Sequence, residues 1–225
     1  MPTREVAVLR DDFTRKISIT STNTEGGTGW TRAAAGTGTP TIASVTPAAN
    51  GEIKVTLTND NNSQYCVLYQ GDDLPYYLSQ IDQIEFIAKV SGIDSVTTLC
   101  FGLASALNAT PDSVSTLAWF RMEGSASTSN VVVETDDGTT DNDDKATGTT
   151  LSSTFKRFTI DFTNGLSDVR FYIDGNRVAS STTFSLAAAS STQSVQPYIH
   201  LAKASGTGTP SITIDRVEIL YRKSS

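Results

Sequence analysis

The only histidine, His200, is the first candidate for a general base, because serine and cysteine nucleophiles need one beside them. It sits in the run Pro197-Tyr198-Ile199-His200-Leu201, which alternates like a strand, and that setting predicts a structural role. The chain has no Gly-x-Ser-x-Gly turn, and its Gly-Thr-Gly-Thr-Pro turns lack the lysine that would reach a phosphate. Zinc requires clustered His and Cys, which one His and two distant Cys do not supply. Hard cations take oxygen ligands, and Asp136, Asp137, Asp141, Asp143 and Asp144 make one candidate stretch for Ca2+. Its order departs from the EF-hand loop, and a solvated acidic loop accounts for the same residues. Glycoside hydrolysis needs two carboxylates about 5–10 Å apart. Asp215 and Glu218 are three positions apart, so on one regular strand they point to opposite faces, and Glu85 has no acidic partner on its own strand. Pairing across strands is open at this level. Tyr76 and Tyr77, after Pro75, are the candidates for stacking on a sugar ring. Trp30, Trp119, Tyr65, Tyr69 and Tyr198 lie in apolar runs that predict packing. Cys66 and Cys100 lie in apolar strand-like runs and read as buried free thiols in a reducing compartment, with a disulfide between them left open.

The elements that must position these groups are strands. Ile53, Val55 and Leu57 alternate with Lys54, Thr56 and Thr58, and Ile84, Phe86, Ala88 and Val90 alternate with Glu85, Ile87 and Lys89. Phe158, Ile160 and Phe162 repeat the pattern, as do Val169, Phe171 and Ile173, and then Ile212 and Ile214. Period 2 places each set on one sheet face, and one-sided strands belong to antiparallel sheets. Asp174-Gly175-Asn176 predicts a tight hairpin. Residues 74–82 and the Ala-rich residues 185–191 could each hold one helical turn, too short for a helical layer. Residues 135–150 have no apolar period and read as an exposed acidic loop. The segment Gly36-Thr37-Gly38-Thr39-Pro40 recurs as Gly206-Thr207-Gly208-Thr209-Pro210, which predicts two similar turns entering strands.

Composition narrows the function classes. Lys and Arg total 17 against 24 Asp and Glu, a formal charge of −7, which argues against nucleic-acid binding. The hydrophobic share is 38% and Ser plus Thr fill about a quarter of the chain, as one-sided strands require. The apolar runs are too short to span a membrane, and the opening MPTREVAVLRDDF has no apolar core of a secretory signal. No cofactor, nucleic acid or membrane is expected.

Asp11-Asp12-Phe13 opens the chain, followed by Trp30, the strand at 53–57 and the long strand at 84–90. Then come Phe158 to Phe162, the hairpin Phe171-Tyr172-Ile173-Asp174-Gly175, and closing strands at 197–199 and 212–219. This order resembles the concanavalin A-like jelly-roll domains of the laminin-G and glucanase type. The resemblance implies an all-β, antiparallel two-sheet β-sandwich over residues 13–225, with residues 1–12 as an N-terminal arm or edge strand. The Asp-Asp-Phe start, the acidic middle and the Ser-Ile-Thr-Ile-Asp end are more narrowly similar to jelly-roll proteins encoded among tailed-phage virion genes. That likeness implies a non-enzymatic bacteriophage virion structural protein, a capsid decoration (cement) protein made in the host cytoplasm and carried on the particle surface. Its implied partners are the major capsid protein or other virion proteins and copies of itself, with a trimer expected. Arg4, Arg10, Arg15 and Lys16 are the expected capsid contacts. The glucanase branch carries a Glu-x-Asp-x-x-Glu strand that this chain lacks, so no hydrolase is expected. The alternative is a carbohydrate-binding jelly-roll module on a phage tail or head surface that contacts host glycans.

Overall fold

The computed structural model describes residues 6–14, 19, 29–46 and 51–222. Two antiparallel sheets pack face to face. The first runs β14 (Asn176–Val178), β13 (Arg170–Ile173), β12 (Lys156–Asp161), β7 (Ile81–Ser91), β16 (Ser211–Arg222), β4 (Ile53–Thr56) and β3 (Thr41–Ser44), and β1 (Val6–Asp11) pairs with the end of β16. The second runs β11 (Asp141–Thr150), β10 (Asn130–Asp136), β9 (Leu117–Glu123), β8 (Thr97–Ala104), β15 (Ser194–Lys203), β5 (Gln64–Tyr69) and β2 (Thr31–Gly36), and β6 (Tyr76–Tyr77) pairs with the start of β15. No helix among the described residues is long and apolar enough to cross a membrane.

The alternating apolar sets do what their period dictates. Phe86, Phe158 and Phe171 of the first sheet meet Phe101 and Phe120 of the second in edge-on contacts, with centroids 4.9 Å apart for Phe101–Phe158 and 5.1 Å for Phe120–Phe158. Truncating a ring in such a cluster typically costs ~3–5 kcal/mol, from lost burial and the cavity left behind. The hairpin at Asp174-Gly175 forms as its residues require. Both turn residues have positive φ, 51° and 80°, the combination that matches the twist of the flanking strands β13 and β14. The repeated Gly-Thr-Gly-Thr-Pro turns enter β3 and β16 respectively.

Two local expectations change. Residues 135–150 are not a loop: β10 and β11 form a hairpin around a short turn. As an edge strand, β11 alternates only between exposed and half-buried positions, so hydropathy carries no trace of it. Residues 185–191 are turns rather than a helical turn, whereas Leu78–Gln80 does form one turn of 3-10 helix.

Candidate functional site

A second buried cluster lies on the outer face of the second sheet, away from the sandwich core. Period 2 creates it: Phe101 and Phe120 point inward, so Cys100 and Trp119 point outward. Cross-strand register then aligns Glu134, Trp119, Gly102, Tyr198 and Tyr69 in one row across β10, β9, β8, β15 and β5. The next row holds Arg121, Cys100, His200 and Val67. Trp119, Tyr198, His200 and Tyr65 stack in sequence, with centroids 6.2, 6.0 and 5.6 Å apart.

The connection at 105–116 lies over this face. Val114 is buried against it and Leu107 packs on it. Three polar tethers hold the connection down. The Leu107 backbone N–H donates to Asp72 Oδ1 at 2.8 Å, the Tyr198 hydroxyl donates to the Asn108 carbonyl at 2.9 Å, and Arg121 pairs with Asp112 at 2.5 Å. Asp72 is itself set by buried Gln196, whose amide nitrogen donates to it at 2.6 Å and whose oxygen accepts from the Gln70 and Asp72 backbone N–H groups.

Arg121 is the electrostatic centre. Beyond Asp112 it reaches Glu123 and Glu134, both at 3.0 Å. Glu134 also accepts from the Trp119 indole at 2.5 Å. Opposite Glu134 the ladder slips: Val133 faces Lys145 and Thr135 faces Asn142, so one residue of β10 opposes both Asp143 and Asp144. This is a β-bulge, with Asp144 at φ 47°, and it brings carboxylate oxygens of Glu134, Asp143 and Asp144 within 4.8 Å of one another. Burial, joined by the Asp144 carboxyl, raises the Glu134 pKa above the usual carboxylate range against the opposing pull of Arg121 and Trp119. Hard cations suit such oxygen sets, but both Glu134 oxygens already accept from Arg121 and Trp119. Arg121 supplies Glu134 with a cation from within the chain.

The expected Ca2+ stretch is thus broken up by the hairpin. Asp137 is buried and accepts from the backbone N–H groups of Thr139, Thr140 and Ala188, and Asp136 accepts from Gly138. Asp137 pins the turn and the 185–191 segment, a cap role typical of aspartate. Asp141 faces Asp136 across the ladder, and only Asp143 and Asp144 join a cluster. Glu134, Arg121, Glu123 and Asp112 carry no sequence signal, because their meeting depends on pairing between strands.

The other expected groups divide similarly. Tyr76 is buried edge-on against Tyr221 at 5.7 Å, so it offers no face to a sugar, while Tyr77 is exposed. Arg10 is paired with Asp12 at 2.6 Å, and Arg4, Arg15 and Lys16 lie outside the described residues. Cys66 points into the core and Cys100 into the outer cluster, so the two thiols lie on opposite faces and are free. Burial pushes the Cys66 thiol up to about 11, opposed by Arg32, and raises Cys100 as well, which leaves both unreactive.

His200 is fully buried, and neither ring nitrogen makes a well-formed hydrogen bond, while the Ala109 backbone opposes the effect of burial on its charge. Tyr65 and Tyr198 stack on it, Cys100 and Val67 flank it, and Asp112 is the nearby acid. Burial lowers its pKa to about 4, below its unfolded value near 6.5. The neutral ring is the folded form, so its contribution is complete above pH ~6.5 and is lost as pH falls toward 4. At ~1.36 kcal/mol per unit the loss is about 3 kcal/mol. Denaturant unfolding at pH 7 and pH 4 is expected to show this loss in the native chain and its absence in His200→Phe. Equal acid sensitivity in both would refute the assignment.

Comparisons with known proteins address the fold. No family model and no curated protein sequence matches the chain. Among solved structures, the carbohydrate recognition domain of Emp47p aligns over 95% of this chain and 94% of its own, with TM-score 0.59 and 12% identity. A family 16 glycoside hydrolase of Bacteroides ovatus aligns over 94% and 99%, with TM-score 0.60 and 12% identity. The Bacillus licheniformis β-glucanase aligns over 96% and 98%, with TM-score 0.58 and 13% identity. The chain therefore has the concanavalin A-like jelly-roll fold, which lectin domains and glycoside hydrolases share. At these identities the likeness is one of fold alone.

Proposed function

We propose that this chain is a non-catalytic jelly-roll domain acting through its surfaces, as a structural protein of a bacteriophage virion that decorates the capsid shell. The covered outer face carries the non-catalytic reading. A glycosidase needs one carboxyl group free to protonate the leaving oxygen and another facing the sugar. Here Asp112, Glu123 and Glu134 are all bound to Arg121, and the 105–116 connection lies on Trp119 and Tyr198. The missing Glu-x-Asp-x-x-Glu strand points the same way. The virion setting rests on the sequence resemblance described above. The test is to mix the purified chain with heads from virions that lack it, then sediment. Saturable co-sedimentation, with heads made more resistant to heat, is the expected result. Absence of binding would overturn the virion role. Release of reducing sugar from a β-glucan, abolished by Glu134→Gln, would overturn the non-catalytic reading.

A second reading, a carbohydrate-binding module, is favoured by one observation: Tyr77 presents an exposed ring on β6, 45% accessible. An exposed aromatic face suits sugar stacking. A glycan array screened with and without Ca2+ separates the two. A reproducible hit lost in Tyr77→Ala, with no binding to heads, selects the second.

A further inference from the structure

We infer that β1 is a self-association edge, through which two copies of this chain join by antiparallel pairing of one β1 with the other. On one side β1 pairs with β16 from Val217 to Arg222, and no described strand pairs with its other side. Among the described residues, the exposed large hydrophobics are Val6 at 50%, Val8 at 57%, Leu9 at 43% and Tyr77. Three of these four belong to this one strand.

The remaining edges are protected in the ways that natural sheets protect theirs, by charge, shortness or small side chains. β11 presents Asp141, Asp143, Asp144 and Lys145. β14 spans only Asn176–Val178 and β3 only Thr41–Ser44. β2 reads Thr-Arg-Ala-Ala-Ala-Gly. β1 has none of these devices along Val6-Ala7-Val8-Leu9.

Its sequence is complementary to itself. Opposed residues in an antiparallel pair share a face. A twofold axis at Val8 sets Val8 against Val8, Val6 against Arg10, and Ala7 against Leu9, each of the latter two pairs made twice. Val6 and Val8 of both copies then form one apolar strip under the arginine stems, and Leu9 is covered on the opposite face.

Charge selects the same edge. Two chains of −7 repel overall. The excess acid lies on the second sheet, where Asp112, Glu123, Glu134, Asp141, Asp143 and Asp144 surround Arg121 and Lys145. β1 itself carries one cation and one acid: Arg10, paired with Asp12 at 2.6 Å, and Asp11, which accepts from the Trp30 indole at 2.8 Å. Two copies joined at this edge of the first sheet keep the acids of the second sheet out of the contact. A strand pair this short falls well below the ~1,600 Å² of a standard stable interface, so the dimer is weak.

Sedimentation equilibrium of the full chain, from low to several hundred micromolar, is expected to show a monomer–dimer equilibrium. Val8→Lys sets two ammonium groups against each other at the axis and is expected to weaken the dimer by about tenfold or more. The residue is exposed, so the melting temperature should not change. Val8→Cys, mildly oxidised, is expected to run as a covalent dimer on a non-reducing gel, since the native thiols are buried. That variant decides the matter if Val8→Lys fails to fold. A chain that stays monomeric throughout, or a dimer or trimer unaffected by Val8→Lys together with no Val8→Cys cross-link, would overturn the inference. Arg10, an expected capsid contact, belongs to this strand, so head binding is measured separately from dimerisation, and a monomer could also decorate a shell.

Discussion

Replacing Lys203 with Met is expected to lower the melting temperature by about 10 °C. Lys203 lies at the end of β15, 2% exposed. Its ammonium donates to the carbonyls of Thr58 at 2.6 Å, Gly206 at 2.8 Å and Gly208 at 2.7 Å. All three of its donors are used. Among the described residues no carboxylate lies within ion-pair range, so the direct partners of the charge are backbone carbonyls, with Asp60 the acid that feels it from further off. The contact joins the sheets: β15 belongs to the second, while Thr58 follows β4 and Gly206 and Gly208 precede β16, both of the first. Methionine fills the stem's space but takes the ammonium donor from all three carbonyls; Thr58 keeps the Asp60 N–H and the Gln64 amide, while Gly206 and Gly208 lose the donor that holds them. Stranding a buried polar group costs ~1–3 kcal/mol, and each hydrogen bond to a charged donor contributes ~1.5–3 kcal/mol. In a domain of this size each kcal/mol moves the midpoint by ~2–4 °C. Lys203→Arg should not restore it, because a planar guanidinium cannot direct three donors at carbonyls converging on one point. Calorimetry at neutral pH is the check, and a drop below about 3 °C would show that the staple contributes little.

Arg121→Met should be comparably damaging and, unlike the Lys203 change, dependent on pH. Without the guanidinium, Asp112, Glu123 and Glu134 lose their shared cation, and Glu134 is left near Asp143 and Asp144. Removing one partner of a buried ionic set typically costs ~3–5 kcal/mol. The sign follows from Glu134. Its folded pKa is raised by burial above the unfolded value near 4.3, so its protonated form fits the fold. The stability it contributes is present below the unfolded pKa and is lost as pH rises through the folded one. Losing Arg121 removes the opposing pull and enlarges this effect. The variant is therefore expected to melt lower at pH 8 than at pH 5, and Glu134→Gln in the same chain should recover part of the loss. Because Asp112 is also released, amide exchange in the 105–116 connection should accelerate. A variant within about 3 °C of the native chain, or one with no pH dependence, would sink the account.

How far the sequence reaches is clearest at β10 and β11. The run Val131-Val132-Val133 announces a strand, but Asp141 to Thr150 carries no apolar period, because an edge strand buries little on either face. The acidic residues were visible, but their grouping was not. Asp137 turns to cap backbone N–H groups while Asp143 and Asp144 meet Glu134, and only the bulge at Asp144 makes that division. The same limit hides Arg121 and Lys203, cations in strand-like runs with nothing local to mark them as buried. The free thiols were expected, and their placement on opposite faces comes from the sheet.

By itself the sequence determined which side chains share a strand face, the turn at Asp174-Gly175 and the all-β class, since period 2 and turn geometry act within a few residues. Tertiary structure alone decided which carboxylates meet, that Arg121 holds Asp112, Glu123 and Glu134, that the 105–116 connection covers the outer aromatic face, and that β1 has only β16 as a partner among the described strands. Those facts depend on register between segments distant in the chain, and a slip of one residue exchanges the faces of a strand.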